Sequence, residues 1–212
     1  MKKVIFISST GGHLHELLNL ESLFNLYDYY IITEKDKSTK YLKDKYEYRL
    51  KFLPYCTRSK IFQYIFLYSY LIIKSFILYL KIKPDAIVTT GTHTAIPICY
   101  FGKVFGSKII YIETFANINK RTLTGKIIYP ISDLFIVQWD KMKKLYPKAI
   151  CIEWIRIKYF QRGMVLFQKR NCPFFVYFYF IINVVFYKIM LIIFKNHQLT
   201  HIHFKNHQLT KE

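Results

Sequence analysis

Acidic side chains are scarce in this chain. Its 212 residues hold 13 Asp and Glu against 32 Lys and Arg, a formal net charge of +19. Such a balance suits nucleic acid, an anionic membrane or a phosphorylated substrate. The motifs of nucleic-acid binding are missing: there is no paired Cys/His zinc spacing, no RNP-like aromatic box and no basic helix with heptads. Nucleic acid is therefore not an expected partner. The four cysteines (Cys56, Cys99, Cys151 and Cys172) lie far apart without a CxxC pair. That argues against a structural zinc and against a disulfide framework. Cys99 and Cys151 sit in apolar surroundings and read as inert core thiols, which fits a reducing compartment. There is no signal peptide pattern. Lys2 and Lys3 mimic a basic n-region, but the apolar run ends after four residues in Ser8, Ser9 and Thr10. The GxGxxG fingerprint and the P-loop lysine are also missing. No metal or cofactor is expected.

Apolar and aromatic residues are abundant instead. Hydrophobic residues make up 52% of the chain and aromatic ones 19%, with 19 Tyr and 19 Phe. The long apolar runs favour a membrane over nucleic acid as the partner of the basic surface.

The opening segment carries the most chemistry. Val4 to Ile7 reads as a short buried strand, too short for a helix. Ser8 to Gly12 forms a small polar turn, and a helix follows from Leu14 toward Phe24. Strand, glycine turn and helix is a way to build an anion or sugar-phosphate site. Glycine lets backbone approach a ligand, and a helix start offers unpaired N–H groups. The alternative is a plain strand-to-helix turn chosen for packing.

Strand and helix signals then alternate through residue 154. Strands are expected at Tyr29 to Thr33, Arg49 to Leu53, Ala86 to Thr89, Lys108 to Ile112, Leu134 to Gln138 and Ala149 to Ile152. A charged loop is expected from Glu34 to Lys45. Helices are expected at Lys60 to Lys83 and at Ala95 to Phe105, with Pro97 in the first turn of the latter. This alternation predicts an α/β fold, a parallel sheet covered on both faces, with ligands at the carboxyl ends of the strands. Three polar turns fall there: residues 8–13, 89–94 and 113–124.

Ile61 to Leu80 has the length of a bilayer span and one charge, Lys74. It also sits between strands that must share one sheet. A helix packed on that sheet, or lying in the membrane interface, fits better than a span.

The composition shifts after Trp154. Residues 155–212 carry nine Lys and Arg against the single acid Glu212. Within them, residues 174–194 are almost wholly apolar with basic flanks, the pattern of a membrane span. The heptapeptide Phe194 to Thr200 recurs as Phe204 to Thr210. Two copies are too few for a solenoid. The four histidines of this repeat read as copies of one tract and not as a metal cluster.

Several of these segments together resemble a known family. Ser8-Ser9-Thr10-Gly11-Gly12-His13-Leu14-His15-Glu16 is similar to the opening of a family with two branches. One is the membrane-anchoring subunit of the eukaryotic two-subunit N-acetylglucosaminyltransferase of dolichol-linked oligosaccharide synthesis. The other is its bacterial counterparts in capsule and exopolysaccharide clusters. Pro84 to Pro97, Tyr111 to Phe115, Leu123 to Pro130, Asp133 to Trp139 and Tyr146 to Ala149 resemble later motifs in the same order. The likeness spans about residues 3–152.

The resemblance implies a Rossmann-like α/β domain over residues 1–154, similar to the N-terminal, acceptor-side half of a GT-B glycosyltransferase. A UDP-sugar-binding partner chain would supply the other half. The implied acceptor is a polyprenyl-diphosphate-linked sugar, and the implied location is the cytoplasmic face of a membrane, the bacterial inner membrane first, as a peripheral or single-pass protein. Residues 155–212 match nothing in the family. They read as a frameshift or read-through product, or as an appended anchor.

For the site, Thr10, Gly11, Gly12, Gly91, Thr92, Thr122 and Thr124 are expected to face the acceptor and its diphosphate. His13 and Glu113 are the expected catalytic pair. His13 would bind phosphate or help deprotonate the acceptor hydroxyl, and Glu113, at the cleft edge, would act as general base or orient one. The plain alternatives are a polar helix start for His13, an ion pair with Lys120 or Arg121 for Glu113, and a helix cap for Thr124. Asp133 and Asp140 read as structural. As a function, an acceptor-binding subunit of a glycosyltransferase competes with a non-catalytic scaffold for the partner and with a stand-alone α/β transferase.

Overall fold

The computed structural model describes residues 1–56 and 61–152. Seven strands form one sheet: β1 (Lys3–Ser8), β2 (Asp28–Glu34), β3 (Leu50–Leu53), β4 (Ala86–Gly91), β5 (Lys108–Ile112), β6 (Leu134–Val137) and β7 (Ile150–Cys151). Their spatial order is β3-β2-β1-β4-β5-β6-β7, and every neighbouring pair is parallel. A parallel sheet is buried on both faces, so its central strands run apolar without alternation. β4 is buried at all six positions and β1 at all but its first.

Helices cover the two faces. On one lie α1 (Gly12–Leu18), α2 (Glu21–Phe24) and α3 (Leu42–Tyr46). Leu14, Leu17, Phe24 and Leu42 meet Val4, Phe6, Val88 and Ile110 there. On the other lie α4 (Ile61–Ile82), α5 (Ile96–Val104), α6 (Leu123–Ile128) and α7 (Asp140–Lys143). Leu71, Tyr79, Ile98, Ile128 and Met142 pack on Ile5, Ile7, Ile87 and Ile109.

Two expectations change in detail. The first helix breaks into α1 and α2 at Asn19 and Leu20. Glu34 ends β2, 2% exposed, instead of opening a charged loop. The long helix α4 joins β3 to β4, two parallel strands of one sheet, so it runs back along that sheet. Its 22 residues extend about 33 Å at 1.5 Å per residue. Among the described residues, α4 is the helix with the length and apolarity of a span. The apolar segment at residues 174–194 and the histidine repeat lie outside the described residues.

Candidate functional site

All seven strands point the same way, so their carboxyl ends share one edge of the sheet, and the three predicted turns meet there. Gly11 sits at φ +79, a conformation L side chains rarely adopt, and it caps the start of α1. Gly11 and Gly12 are exposed, with open space around both Cα atoms. The β1 turn is joined to β4 by the Ser9 N–H, which donates to the Gly91 carbonyl at 3.1 Å.

His13 is the best-defined side chain here. Its Nδ1 lies 2.8 Å from the Thr90 carbonyl oxygen, and Thr90 Oγ1 donates to the His13 carbonyl at 2.7 Å. A carbonyl only accepts, so Nδ1 carries the hydrogen of that bond. In the neutral ring Nε2 then holds a lone pair, the form of a general base. Half-buried His13 sits beside Gly91, where an added Cβ would lie 3.7 Å from Nδ1 and 3.3 Å from the Tyr111 hydroxyl.

Gly91 does not offer its N–H to a ligand: that group donates to Thr89 Oγ1 at 3.0 Å. Gly91 instead makes room, at φ +98, for His13 and Tyr111. Thr92 follows, half-buried, its hydroxyl 3.3 Å from His93 Nδ1. Thr10 donates through both N–H and Oγ1 to Glu34 Oε2, each at 3.4 Å. The Thr94 hydroxyl also donates to Glu34. Glu34 therefore bonds the β1 turn to the turn after β4.

Glu113 is not at a cleft edge. It is 1% exposed, and its carboxylate accepts from Thr122 Oγ1 at 3.0 Å, the Tyr146 hydroxyl at 3.0 Å and the Thr114 N–H at 3.1 Å. The alternative ion pair is not formed either. Arg121 lies over the Tyr146 ring, 5.1 Å from its centroid, and donates to the Leu145 carbonyl. Burial pushes the Glu113 carboxyl above its ordinary range, against the pull of these bonds. Thr122, not Thr124, caps α6, accepting from the Gly125 N–H at 2.8 Å. Thr124 is buried in the first turn of that helix.

The structure brings these residues into one chain of contacts: His13, Gly91, Tyr111, Thr122 (3.4 Å from the Tyr111 hydroxyl) and Glu113. Tyr111, Tyr146, Glu34 and Glu16 were missed in the sequence. Glu16 accepts at Oε1 from Thr114 Oγ1 at 3.0 Å and from the Phe115 N–H at 3.1 Å. The i, i+3 spacing of His13 and Glu16 was the one visible signal. Asp133 accepts from the Ile109 N–H and pairs with Lys103 and Lys108, bonds that tie β5 to its neighbours.

A parallel, doubly covered sheet with its polar turns gathered at the carboxyl edge defines a Rossmann-like α/β lobe. Solved structures agree. UDP-GlcNAc 2-epimerase of Methanocaldococcus jannaschii matches with a TM-score of 0.59 at 14% identity, over 80% of this chain and 51% of that one. MurG of Acinetobacter baumannii matches with a TM-score of 0.55 at 13% identity, over 66% and 43%. At these identities the likeness is one of fold, and the chain spans about half of each structure. The family is decided by sequence: the profile described as oligosaccharide biosynthesis protein Alg14 like matches residues 3–155, and the chain belongs to that family. The UDP-N-acetylglucosamine transferase subunit ALG14 of Mus musculus is 32% identical over 70% of this chain and 80% of its own length. The Homo sapiens protein of the same name is 28% identical over 69% and 80%. That of Candida albicans is 40% identical over 39% and 40%.

Proposed function

We propose that this chain is the acceptor-side subunit of a UDP-GlcNAc transferase that extends a polyprenyl-diphosphate-linked sugar. A partner chain brings the UDP-sugar and stabilises the departing UDP. The observation that carries this reading is the His13 ring, hydrogen-bonded to Thr90 in the tautomer of a base, beside the open Gly11–Gly12 turn. Family membership supports it, because the relatives are named as subunits of such a transferase. In the reaction His13 Nε2 takes the proton of the acceptor hydroxyl while its oxygen bonds to the anomeric carbon and the bond to UDP breaks. Gly11, Gly12 and Thr92 face the acceptor diphosphate. Thr10 and Gly91 shape that surface, and Glu113 and Thr122 hold the β5 loop instead of touching the reacting atoms.

The outer face of α4 is the membrane contact. Phe62, Phe66 and Ile73 are 79%, 77% and 57% exposed, and neither α4 nor α5 contains an acidic residue. An apolar helix face flanked by lysines suits a bilayer with anionic headgroups. Capsule or exopolysaccharide assembly at a bacterial inner membrane would use the same lobe. The relatives above are eukaryotic, which favours lipid-linked oligosaccharide assembly.

The test is reconstitution. Co-expressed with a UDP-GlcNAc-binding GT-B partner, the chain is expected to support GlcNAc transfer to a polyprenyl-diphosphate-linked sugar, with neither chain active alone. Comparable transfer by this chain by itself would reject the subunit reading.

A further inference from the structure

Glu16 is a half-buried carboxylate at the same edge, and the reaction above leaves it unused. It stands one helical turn after His13, in a helix whose start is fixed to β4 by the two His13–Thr90 bonds. Its Oε1 reaches across to the β5 loop, to residues 98 and 99 positions away in sequence. That loop is held from its far side as well: Trp139 Nε1 donates to the Phe115 carbonyl at 2.8 Å, and Gln138 Nε2 to that of Glu113 at 3.0 Å. The other oxygen, Oε2, is buried and has no hydrogen-bond partner among the described residues. A buried carboxylate oxygen without a partner costs free energy unless a nearby positive charge offsets it. The nearby side chains that can carry such a charge when protonated are His13 and His15.

We infer that Glu16 is a positioning residue for the transfer: one oxygen pins α1 to the β5 loop, and the other supplies the counter-charge for His13 when it becomes an imidazolium. The inference rests on the reading of His13 as base. The proton leaves the acceptor hydroxyl for His13 Nε2, the new glycosidic bond forms, and UDP departs with the electron pair of the broken bond. The positive charge left on His13 then lies at i, i+3 from the Glu16 carboxylate, on the same side of the helix. Other groups facing His13 are uncharged or committed. The Thr90 carbonyl binds Nδ1, and the Tyr111 hydroxyl from β5 stays neutral because burial raises its pKa. Glu34, from β2, is occupied by Thr10 and Thr94. His15 is exposed on α1. Burial raises the Glu16 carboxyl, while its bonds to Thr114 and Phe115 and the two histidines lower it.

The experiment is a pH profile of kcat/KM in the reconstituted complex, with UDP-GlcNAc and a GlcNAc-diphosphate-polyprenol acceptor. Three forms are compared: wild type, Glu16→Gln and His13→Gln. Glu16→Gln keeps an accepting oxygen for Thr114 and Phe115 but removes the charge. Its acidic limb is expected to move to lower pH by about half a unit to one unit, because a cation loses its counter-charge. Its plateau should fall roughly three- to tenfold, a fraction of what a general base contributes. A plateau that falls while the limb stays in place would overturn the inference, since that is the mark of a structural role alone. So would a profile identical to wild type. His13→Gln separates the two levels. If it keeps wild-type activity, the base reading fails first. If it is inactive while the Glu16→Gln limb is unmoved, only the Glu16 inference fails. NMR titration of the His13 ring in the full chain gives the same answer without turnover: its pKa drops in Glu16→Gln, or the counter-charge role is rejected.

Discussion

Glu113, expected as a general base at the cleft edge, is enclosed instead. Its two oxygens receive three hydrogen bonds and are closed off by Gly125, where an added Cβ would meet the Tyr146 hydroxyl at 2.5 Å and Thr122 Oγ1 at 2.7 Å. Removing the carboxylate by Glu113→Ala orphans the Thr122 and Tyr146 hydroxyls and is expected to cost about 1–3 kcal/mol for each buried group left unpaired. Glu113→Gln isolates the charge. The folded-state pKa of Glu113 is raised, so the fold binds its proton more tightly than the unfolded chain does. The stability this confers is complete below the unfolded pKa, about 4.3, and is lost as pH rises through the folded value. Denaturant unfolding at a series of pH values should therefore show wild type losing stability relative to Glu113→Gln on going from acid to neutral. A constant difference across that range would contradict the raised pKa.

Helix-to-sheet contact is tightest at Gly102 in α5. A Cβ there would lie 2.5 Å from Ile87 Cδ1 and 2.9 Å from Ile109 Cδ1, both on the central strands. Neither isoleucine has room to retreat in a sheet buried on both faces, so Gly102→Ala is expected to destabilise by about 1–3 kcal/mol through overpacking. The measurement is the urea midpoint at unchanged m-value. Transfer by the reconstituted complex, per folded molecule, should hold, because Gly102 lies toward the end of α5 away from the turn after β4. Tolerance of alanine without loss would mean that α5 stands farther from the sheet than described.

Among the described residues, the outer stripe of α4 is an anomalous surface. Its inner stripe (Leu71, Ser75, Tyr79 and Ile82) is buried on the sheet and α5, with Tyr79 donating to or accepting from Ser107 at 2.8 Å. The outer stripe is largely exposed, an apolar area of the kind that marks an interaction site. Replacing Phe66 and Ile73 with Asp should abolish co-sedimentation with anionic phospholipid vesicles. Folding stability should change by no more than about 0.5 kcal/mol per site, as at other exposed positions. Undiminished vesicle binding by the double variant would move the membrane contact elsewhere.

Much of this was legible beforehand because it depends on local pattern. Short β-branched runs such as Val4 to Ile7 and Ala86 to Thr89, separated by helical stretches, require a parallel sheet, and the glycine turn before His13 marked the edge where function gathers. The α4 run could be read as a span or as a core helix until its flanking strands were seen to share one sheet. Which polar residues meet was not legible, because the deciding contacts join positions far apart: Glu16 with Thr114, Glu34 with Thr94, Glu113 with Tyr146. Spacing along a chain says which face of an element a residue occupies. Whether a carboxylate on that face is open to substrate or enclosed by hydroxyls depends on what distant loops bring against it. The amino-acid order alone thus determined the fold class, the family and the edge where the polar turns gather. Only the tertiary packing decided that His13 Nδ1 is bonded to the Thr90 carbonyl and that Glu113 is enclosed by hydroxyls, because burial and hydrogen-bond partners are properties of the assembled sheet edge.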